Sequence, residues 1–410
     1  MKPKPTGPIP PGWDGQHGEL HVAGKTAHDL VEDAGGTPLF VYSRDLIDRR
    51  IAELRAAIPP RIGINFAVKA NPFAPVIDHM ASLVDGFDIA SGGELRMMQA
   101  AGIAPDRVSF AGPGKRDDEI EAAIEAGITL NCESEGEAQR SIAIGERLKK
   151  RPRMAVRVNP DFELKGSGMK MGGGAKPFGV DAERAADLVR WIIAQGAHWR
   201  GLHIFTGSQT LSSDAIVEAQ ANVLNLAAKI ADQIDAPLPQ LNLGGGFGIP
   251  YFPGDEPVDL GHVGAELHRQ VGSLSPHLEQ TQMCLELGRY LVGEAGVYLC
   301  RIVDRKVSHG TTYLITDGGL HHQLAASGNF GTVVRRNYPI AIASRFDGDP
   351  DEIVNVVGCL CTPLDRLADQ ALLPRAEVGD LVAVFCAGAY GASASPSAFL
   401  GHGPATELLV

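Results

Sequence analysis

Eight short apolar runs, separated by longer segments of helical periodicity, constrain the fold of this chain more than any other feature. Repetition of a strand followed by a helix is typical of βα units, and eight such parallel strands close into a TIM-type (β/α)8 barrel. An open doubly wound sheet is the alternative, because sequence pattern alone does not show closure. The count of eight favours the barrel. The runs are 62–68, 86–89, 107–110, 128–131, 154–158, 201–205, 240–243 and 282–286.

After about Tyr290 the pattern changes to strands without long helices, which predicts a β domain. An early segment, HGELHVAG, resembles a further strand of that domain, so the domain is expected to be discontinuous in sequence. The proline-rich start predicts a mobile arm. We therefore expect an arm over 1–15, an α/β barrel over 36–288, and a β domain formed by 16–35 and 289–410.

The composition narrows the class of partner. The 410 residues carry a formal net charge of -12 that is spread along the chain, which argues against nucleic acid and anionic membranes and favours a small substrate. Six cysteines lack the regular spacing of a disulfide scaffold, so we expect reduced thiols. No stretch approaches an uncharged 18-residue segment. A cytoplasmic protein that does not cross a membrane is the expectation.

Polar residues suited to catalysis or ligand binding lie where the predicted barrel strands end. Active sites of such barrels lie at that end. Lys69 ends the first run, Gly244, Gly245 and Gly246 follow the seventh, and Glu286 with Arg289 follows the eighth. Each has an ordinary explanation: a lysine that reaches solvent, a tight turn, or a surface ion pair. Their convergence on one barrel mouth favours a shared chemical role.

That combination suits pyridoxal 5'-phosphate (PLP). The lysine would form a Schiff base, while glycine backbone amides and Arg289 would hold the phosphate. A carboxylate at Glu286 would keep the pyridine nitrogen protonated, so that the ring accepts the electrons left when the bond from Cα to the carboxylate breaks. An arginine in that position would suit racemisation instead.

Seven motifs in order over some 330 residues carry a family resemblance. The whole chain resembles the fold-type III PLP decarboxylases of the diaminopimelate and ornithine decarboxylase group, which have an alanine-racemase-like barrel and a C-terminal β domain. The matching stretches are FAVKAN (66–71), GFDIASGGEL (86–95), GLHIFTGSQ (201–209), LNLGGGFGIPY (241–251), ELGRYLV (286–292), GCLCTPLD (358–365) and AGAYGASASP (387–396).

The resemblance implies roles for individual residues. It implies that Lys69 carries the cofactor, that Glu286 contacts the pyridine nitrogen, and that Asp88 lies near the ring. Cys361 would protonate the carbanion after carbon dioxide leaves, entering the active site from a second subunit. A homodimer with shared active sites follows from the resemblance. The residues implied around the phosphate are Ser208, Gly244, Gly245, Gly246, Arg289 and Tyr390.

Departures from the family pattern bear on the substrate. Phe205 stands where the decarboxylases usually have a histidine stacked on the ring, and His203, two residues earlier, is a candidate substrate contact. Thr362 replaces the acid that pairs a distal ammonium, and threonine cannot form that ion pair. The stretch 317–331 lacks the Arg-Pro-x-x-Tyr element with which diaminopimelate decarboxylases grip their substrate. Diaminopimelate, lysine and ornithine are therefore disfavoured.

Two further segments, GGLHHQLAASGNFG and ASPSAFLGHGP (394–404), resemble a branch found with exosortase-type polysaccharide systems and with decarboxylases of carrier-protein-bound glutamate. The substrate implied is an amino acid, free or tethered to an acyl carrier protein. His321 and His322 could suggest a metal, but no third ligand lies at the right spacing. We therefore expect substrate-contact or structural roles for this pair, with Thr362 beside the substrate, and no metal.

Two alternatives to an amino-acid decarboxylase stay open at this point. One is an amino-acid racemase on the same fold, which Glu286 disfavours because such racemases use a weakly protonated pyridine. The other is a catalytically silent homologue that binds a partner protein. Retention of Lys69, the glycine loop and Cys361 disfavours it. The expectation is a PLP-dependent carboxy-lyase.

Overall fold

The computed structural model describes residues 2–328 and 336–410 and consists of two compact units. The barrel unit contains Ile51–Gly248 and Pro257–Gly288. The β unit contains Met1–Arg50, Ile249–Glu256 and Arg289–Val410. Residues 36–50 and 249–256, which the sequence analysis assigned to the barrel, thus belong to the β unit.

Eight parallel strands form the barrel. Each strand pairs with the next along the chain, and the eighth pairs with the first, so the sheet closes as expected from the count of runs. Seven strands begin within one residue of the predicted runs, and the sixth begins three residues earlier than expected. The strands are β1 (Ile62–Ala67), β2 (Gly86–Ile89), β3 (Val108–Phe110), β4 (Thr129–Cys132), β5 (Arg153–Asn159), β6 (His198–His203), β7 (Gln240–Gly245) and β8 (Gln282–Leu287).

Seven helices connect these strands, and local sequence explains where several of them begin. Ser91, Ser134 and Ser212 each accept a hydrogen bond from the backbone N–H three residues later, which satisfies one donor at the helix start. A further helix, Arg44–Ala57, precedes β1. The connecting helices are α1 (Ala74–Met80), α2 (Gly92–Ala100), α3 (Asp117–Ala126), α4 (Glu135–Leu148), α5 (Ala182–Ala194), α6 (Ser213–Ile234) and α7 (Leu260–Val271).

The β unit is organised around the long strand Gly296–Ser308, which pairs with three neighbours. Its early half, which pairs with Leu39–Tyr42 and Leu381–Val384, is buried, while most of its later half, which pairs with Thr311–Thr316, is exposed. The strands in order across the main sheet are Ile340–Ile342, Leu381–Val384, Gly296–Ser308, Thr311–Thr316, Glu352–Val357 and Arg366–Leu373, with Leu39–Tyr42 and Thr406–Leu409 attached beside Gly296–Ser308.

A small three-stranded antiparallel sheet opens the β unit and leads into its first helix. Thr26 and Asp29 form a reciprocal capping box at the start of that helix. The hydrophobic core beneath includes Trp13, Leu39 and Phe385. The strands of the small sheet are Asp14–Gln16, Glu19–Val22 and Lys25–Thr26; the helices of the unit are Ala27–Asp33 and Arg289–Val292.

The segment expected to be a mobile arm makes defined contacts inside the β unit. Trp13 is 4% exposed and its indole N–H donates to the Glu294 carbonyl at 2.8 Å. The Lys4 side chain forms an ion pair with Asp369, and its backbone N–H donates to the Gln370 carbonyl. A buried indole and these bonds fix residues 4–13 more firmly than their proline content indicated.

No helix among the described residues has both the length and the apolar character that a bilayer-crossing segment needs.

Candidate active site

The interior of the barrel is polar towards the carboxyl ends of the strands. Barrels of this type usually fill that space with branched apolar side chains. Here six buried polar or charged side chains occupy it, which marks a site for chemistry because buried polar groups are retained only when they are paired or used. They are Asp88, Asn131, Arg157, His203, Asn242 and Glu286, each less than 9% exposed.

Glu286 on β8 is the ionised carboxylate of this group. His203 Nε2 at the end of β6 lies 2.8 Å from Glu286 Oε2, and the Asn242 side-chain amide donates to the same oxygen at 3.3 Å. Burial alone would raise the pKa of Glu286, but His203, and then Lys69 and Arg157, outweigh burial and lower the pKa to about 2. Glu286 therefore carries a negative charge at any physiological pH.

Asp88 on β2 has the opposite tendency. Burial, and then the negative charge of Glu286, raise its pKa to about 7. Its Oδ1 accepts a hydrogen bond from the Ser109 hydroxyl at 2.6 Å, whereas its Oδ2 has no hydrogen-bond partner among the described residues. Two buried carboxylates whose pKa values are pushed apart are typical of a functional site.

Lys69 lies on a 3-10 turn, Val68–Ala70, that follows β1 directly. Val68 and Ala70 are buried while Lys69 is exposed, so packing of its neighbours holds the backbone and leaves the side chain accessible. Its Nζ lies 5.9 Å from the centroid of the Phe205 ring. The structure thus brings together Lys69 and the aromatic ring that replaces the family's histidine.

The three glycines that end β7 and follow it are required by close backbone contacts. Gly244 and Gly246 have φ of +69° and +78°, a region that favours glycine. A Cβ on Gly244 would lie 2.8 Å from the Ile204 carbonyl oxygen, and one on Gly245 only 2.2 Å from that of Glu286. The Gly244 N–H donates to Asn242 Oδ1 at 2.9 Å. The expectation that all three amides face an anion therefore needs correction for Gly244, because its N–H already has a partner.

Ser208 lies in the two-residue strand Gly207–Ser208, which pairs with Met169–Lys170 from the glycine-rich segment after β5. Its side chain is half-buried. The backbone around it connects to the glycine turn, because the Thr210 N–H donates to the Gly246 carbonyl at 3.0 Å. The loop that contains Ser208 is thus hydrogen-bonded to the glycine turn. These two loops carry the expected phosphate residues of the barrel unit.

The remaining expected phosphate residues belong to the β unit. The Arg289 guanidinium donates to the Tyr251 hydroxyl at 2.7 Å and lies 4.8 Å from the centroid of the Tyr390 ring. Burial would lower the pKa of Arg289, but Tyr251 and Tyr390 outweigh burial and raise it. Its Nε is buried and has no partner among the described residues, so the cation retains a donor for an anion. Tyr251 lies in the GIPY motif but was not singled out from sequence.

The donor set fits PLP. In the barrel unit, an accessible lysine stands beside an aromatic ring and an ionised carboxylate is buried at Glu286; in the β unit, taken by itself, Arg289 has one N–H without a partner among the described residues. Each matches a part of the cofactor: the aldehyde, the pyridine nitrogen and the phosphate respectively.

Arg157 was missed from sequence, although a lone charge inside the apolar run MAVRV is the signal that could have found it.

The loop that carries Cys361 and Thr362 is held by one carboxylate. Asp365 Oδ1 accepts from the Leu320 N–H at 2.7 Å and its Oδ2 accepts from the Leu360 N–H at 2.9 Å. Cys361 is exposed and Thr362 is half-buried. The nearby Cys359 points back into the unit, where its thiol donates to the Asp317 carbonyl at 3.5 Å. Cys361 is thus the accessible thiol of the pair, as its expected role requires.

The three histidines named from sequence as candidate substrate contacts are buried. His203, at 2% exposure, contacts Glu286. His322 has both ring nitrogens engaged, Nδ1 with the Tyr298 hydroxyl at 3.0 Å and Nε2 with the Gly403 carbonyl at 3.0 Å. His321 is fully buried. His322 therefore supports neighbouring groups through both ring nitrogens, and His203 does so through its Nε2 contact with Glu286.

Sequence spacing showed no third metal ligand near the histidine pair, but folding brings two potential ligands to His321. Cys359 and His402 approach His321 in the β unit, with ligand atoms within 4.8 Å of one another. The residues 329–331 of the segment 317–331, in which the Arg-Pro-x-x-Tyr element was sought, lie outside the described residues.

Comparison with known proteins agrees with this geometry. A family model for the pyridoxal binding domain of pyridoxal-dependent decarboxylases matches residues 44–293. The chain is 36% identical to an L-glutamyl-[BtrI acyl-carrier protein] decarboxylase from Niallia circulans over 91% of this chain and 88% of that protein. It is 32% identical to a diaminopimelate decarboxylase from Archaeoglobus fulgidus, over 96% and 92% of the two chains.

Among solved structures, a diaminopimelate decarboxylase from M. jannaschii superposes with a TM-score of 0.84 at 26% identity, covering 93% of this chain and 89% of that one. The family match covers more than half of the chain, and the chain's barrel and β unit both fall within the matched structures. The chain belongs to the pyridoxal-dependent decarboxylases of fold type III and is a PLP-dependent carboxy-lyase.

Proposed function

We propose that this enzyme removes the α-carboxylate of an acidic L-amino acid that is presented as a thioester on an acyl carrier protein. The observation that carries the proposal is Thr362, which stands where an acid would pair the distal ammonium of a diamino substrate. The similarity to a carrier-protein-bound glutamate decarboxylase supports it. In a thioester or amide the distal group is neutral, and a neutral group needs no carboxylate partner.

The cavity beside Thr362 supports this specificity. It has a volume of about 360 Å³ and is lined by Lys306, Arg366 and Asp365 among others. Asp365 is committed to two backbone N–H groups, so it is a poor partner for a substrate ammonium. The lining thus offers cations and hydroxyls to a polar, uncharged or anionic substrate group rather than an acid to a cationic one.

Bound PLP supplies an electron sink for the bond that breaks between Cα and the carboxylate. In the proposal, Glu286 holds a proton on the pyridine nitrogen, and His203 keeps Glu286 ionised so that it can do so. Lys69 would hold the cofactor covalently, and Phe205, whose ring centroid lies 5.9 Å from Lys69 Nζ, would offer an aromatic surface beside it. Arg289, with Tyr251 and Tyr390 around it, binds the phosphate as a fixed cation.

Cys361 is proposed to deliver the proton that replaces carbon dioxide at Cα. The electron pair of the broken bond then forms the new C–H bond, and the thiolate regains its proton from water. An exposed thiol on a short loop suits a residue that serves the active site of a second copy of the chain, as the family resemblance implies. The enzyme is therefore proposed to be a homodimer with shared sites.

Release of carbon dioxide from a panel of substrates tests the proposal. The panel contains L-glutamate, its thioester on a carrier protein, diaminopimelate, lysine and ornithine. We expect kcat/KM for the tethered substrate to exceed that for free glutamate by about two orders of magnitude, because contacts remote from the reacting bond contribute to catalysis. Preferred turnover of a free diamino acid would contradict the assignment made from Thr362.

A matched variant sharpens the test. Thr362→Glu restores a carboxylate at the loop, so it is expected to weaken binding of the tethered acidic substrate and to allow detectable turnover of a diamino acid. Thr312→Glu, elsewhere in the β unit, serves as the control for added charge.

A cytoplasmic location is part of the proposal, supported by six cysteines none of which forms a disulfide in the described residues.

A further inference from the structure

A cluster of three soft or borderline ligands lies in the β unit, and the decarboxylation chemistry does not use it. The side chains of His321, Cys359 and His402 come from three segments far apart in sequence. Their ligand atoms all lie within 4.8 Å of one another, and Cys359 Sγ is 3.9 Å from His402 Nε2. The ring centroids of His321 and His402 are 4.9 Å apart.

His321 is the unusual member. It is fully buried, with 0% exposure, yet neither of its ring nitrogens has a hydrogen-bond partner among the described residues. Burial of a polar group without a hydrogen-bond partner is unfavourable, and coordination of a metal ion would give one ring nitrogen of His321 the partner that it lacks.

The surroundings orient the cluster. His322 Nε2 donates to the Gly403 carbonyl, since a carbonyl only accepts, and its Nδ1 then accepts from the Tyr298 hydroxyl. This pair of bonds fixes the residue next to His402. Without a metal ion, the Cys359 thiol donates to the Asp317 carbonyl at 3.5 Å, and this bond would be given up when the thiolate binds a metal ion. Neighbouring hydrogen bonds that hold ligand side chains in place are typical of metal sites.

The geometry points to a site for a divalent transition-metal ion, Zn²⁺, bound by His321, Cys359 and His402 with a fourth position open to solvent. Two imidazoles and one thiolate are a donor set that zinc accepts, and three protein ligands with one open position occur in its proteins. Tetrahedral bond lengths place ligand atoms about 3.3–3.6 Å apart. Binding therefore draws the three side chains inward, which the exposed His402 permits.

The site would connect the catalytic loop to the body of the β unit. Cys359 lies two residues before Cys361, on the loop 358–365, while His321 and His402 belong to the segments 317–324 and 399–403. A metal ion that joins them would restrict the loop that presents Cys361. This consequence depends on the proposed role of Cys361, whereas the metal site itself does not.

Metal content tests the site directly. Tag-free holoenzyme is equilibrated with Zn²⁺, dialysed, and analysed for zinc and protein, and Co²⁺ is used as a spectroscopic probe. We expect one zinc ion per chain and a thiolate-to-cobalt charge-transfer band. Cys359→Ser and His402→Ala are expected to weaken zinc binding at least about 100-fold and Cys359→Ser to abolish the band. The control, His309→Asn, removes an exposed histidine of the same unit and is expected to change neither.

A second measurement avoids dependence on variants that fold poorly. The wild-type enzyme is alkylated with iodoacetamide with and without a zinc chelator, and modification of each cysteine is read by peptide mass spectrometry. We expect Cys359 to be protected until the chelator is added, while Cys361 reacts in both samples. Zinc below roughly 0.1 equivalent per chain, equal zinc in wild type and Cys359→Ser, or alkylation of Cys359 that ignores the chelator would overturn the proposal.

Discussion

The imidazole of His203, at the end of β6, lies 2.8 Å from the carboxylate of Glu286 on β8, with β7 between the two strands, and both side chains are more than 90% buried. The contact explains why the pKa values of Glu286 and Asp88 diverge. Burial raises the pKa of both, but only Glu286 has a hydrogen bond from His203, so its pKa falls while that of Asp88 rises.

His203→Gln is expected to move the acid limb of the kcat profile upward by at least about one pH unit. Without the imidazole, burial dominates and the pKa of Glu286 rises from about 2, so the carboxylate becomes protonated within the working range. The pH dependence of kcat measures this. His198→Gln, on the same strand but exposed, is the control, and an unchanged acid limb in His203→Gln would show that His203 does not position Glu286.

Lys69→Ala is expected to abolish covalent attachment of PLP and decarboxylation. The lysine is the accessible amine beside the Phe205 ring, so its removal leaves the cofactor without a covalent anchor. Borohydride reduction followed by peptide mass spectrometry locates the pyridoxyl group. Lys229→Ala, an exposed lysine on α6, should retain the label. A pyridoxyl group on any other lysine of the wild type would exclude the assignment.

Cys361→Ala is expected to retain PLP and to lower kcat by about 10²–10⁴-fold, the usual contribution of a positioned proton donor. The reaction is run in heavy water. The configuration of the deuterium at Cα of the product then shows whether the proton is delivered to one face. The control is Leu364→Ala, which alters an exposed residue of the same loop. Its rate and the stereochemistry of its product should equal those of the wild type. Unchanged turnover by Cys361→Ala with product of a single configuration would refute its role.

Mixing the two inactive variants tests the shared site. If Lys69 and Cys361 of different subunits serve one site, random exchange of Lys69→Ala and Cys361→Ala chains gives mixed dimers with one intact site each. Roughly a quarter of the wild-type activity should return. Recovery is measured after the subunits are allowed to exchange. No recovery from chains that demonstrably exchange would place both residues of a site on one chain.

Asp88→Asn is expected to alter the pH dependence of stability. The folded protein binds the Asp88 proton more tightly than the unfolded chain, since its pKa is raised to about 7. The stabilisation is complete below the ordinary aspartate pKa and is lost as pH rises through the raised value. Relative to the wild type, the Tm of Asp88→Asn should therefore increase between about pH 5 and pH 8. Parallel Tm curves for the two proteins would contradict the raised pKa.

Lys115→Met is expected to lower the free energy of unfolding by about 3–5 kcal/mol, because it leaves Glu137 buried without its cation. The two side chains are 2.7 Å apart and each is 1% exposed. Burial already raises the pKa of Glu137. The double variant Lys115→Met/Glu137→Leu should recover much of the loss, as measured by denaturant unfolding. A double variant no more stable than Lys115→Met would show that packing, rather than the unpaired charge, causes the loss.

Much of the fold followed from local pattern. The βα alternation located eight strands, because apolar periodicity reports directly on which residues face a core, and their number favoured a closed barrel. The boundary between the two units was predicted less well. Residues 36–50 and 249–256 were assigned to the barrel from sequence but belong to the β unit. Membership of a unit depends on contacts far along the chain, such as the pairing of Leu39–Tyr42 with Gly296–Ser308, and sequence pattern does not contain those contacts.

The sequence by itself determined which chemical groups are present and where strands end. It located Lys69, the glycine turn and Glu286 at one mouth of a barrel, since the position of a residue at a strand end is a local property. Tertiary structure decided what each group does. Only folding places His203 against Glu286 and gives His321 its two neighbours, Cys359 and His402. Burial and pairing set protonation and coordination, and both depend on residues that are distant in sequence and adjacent in space.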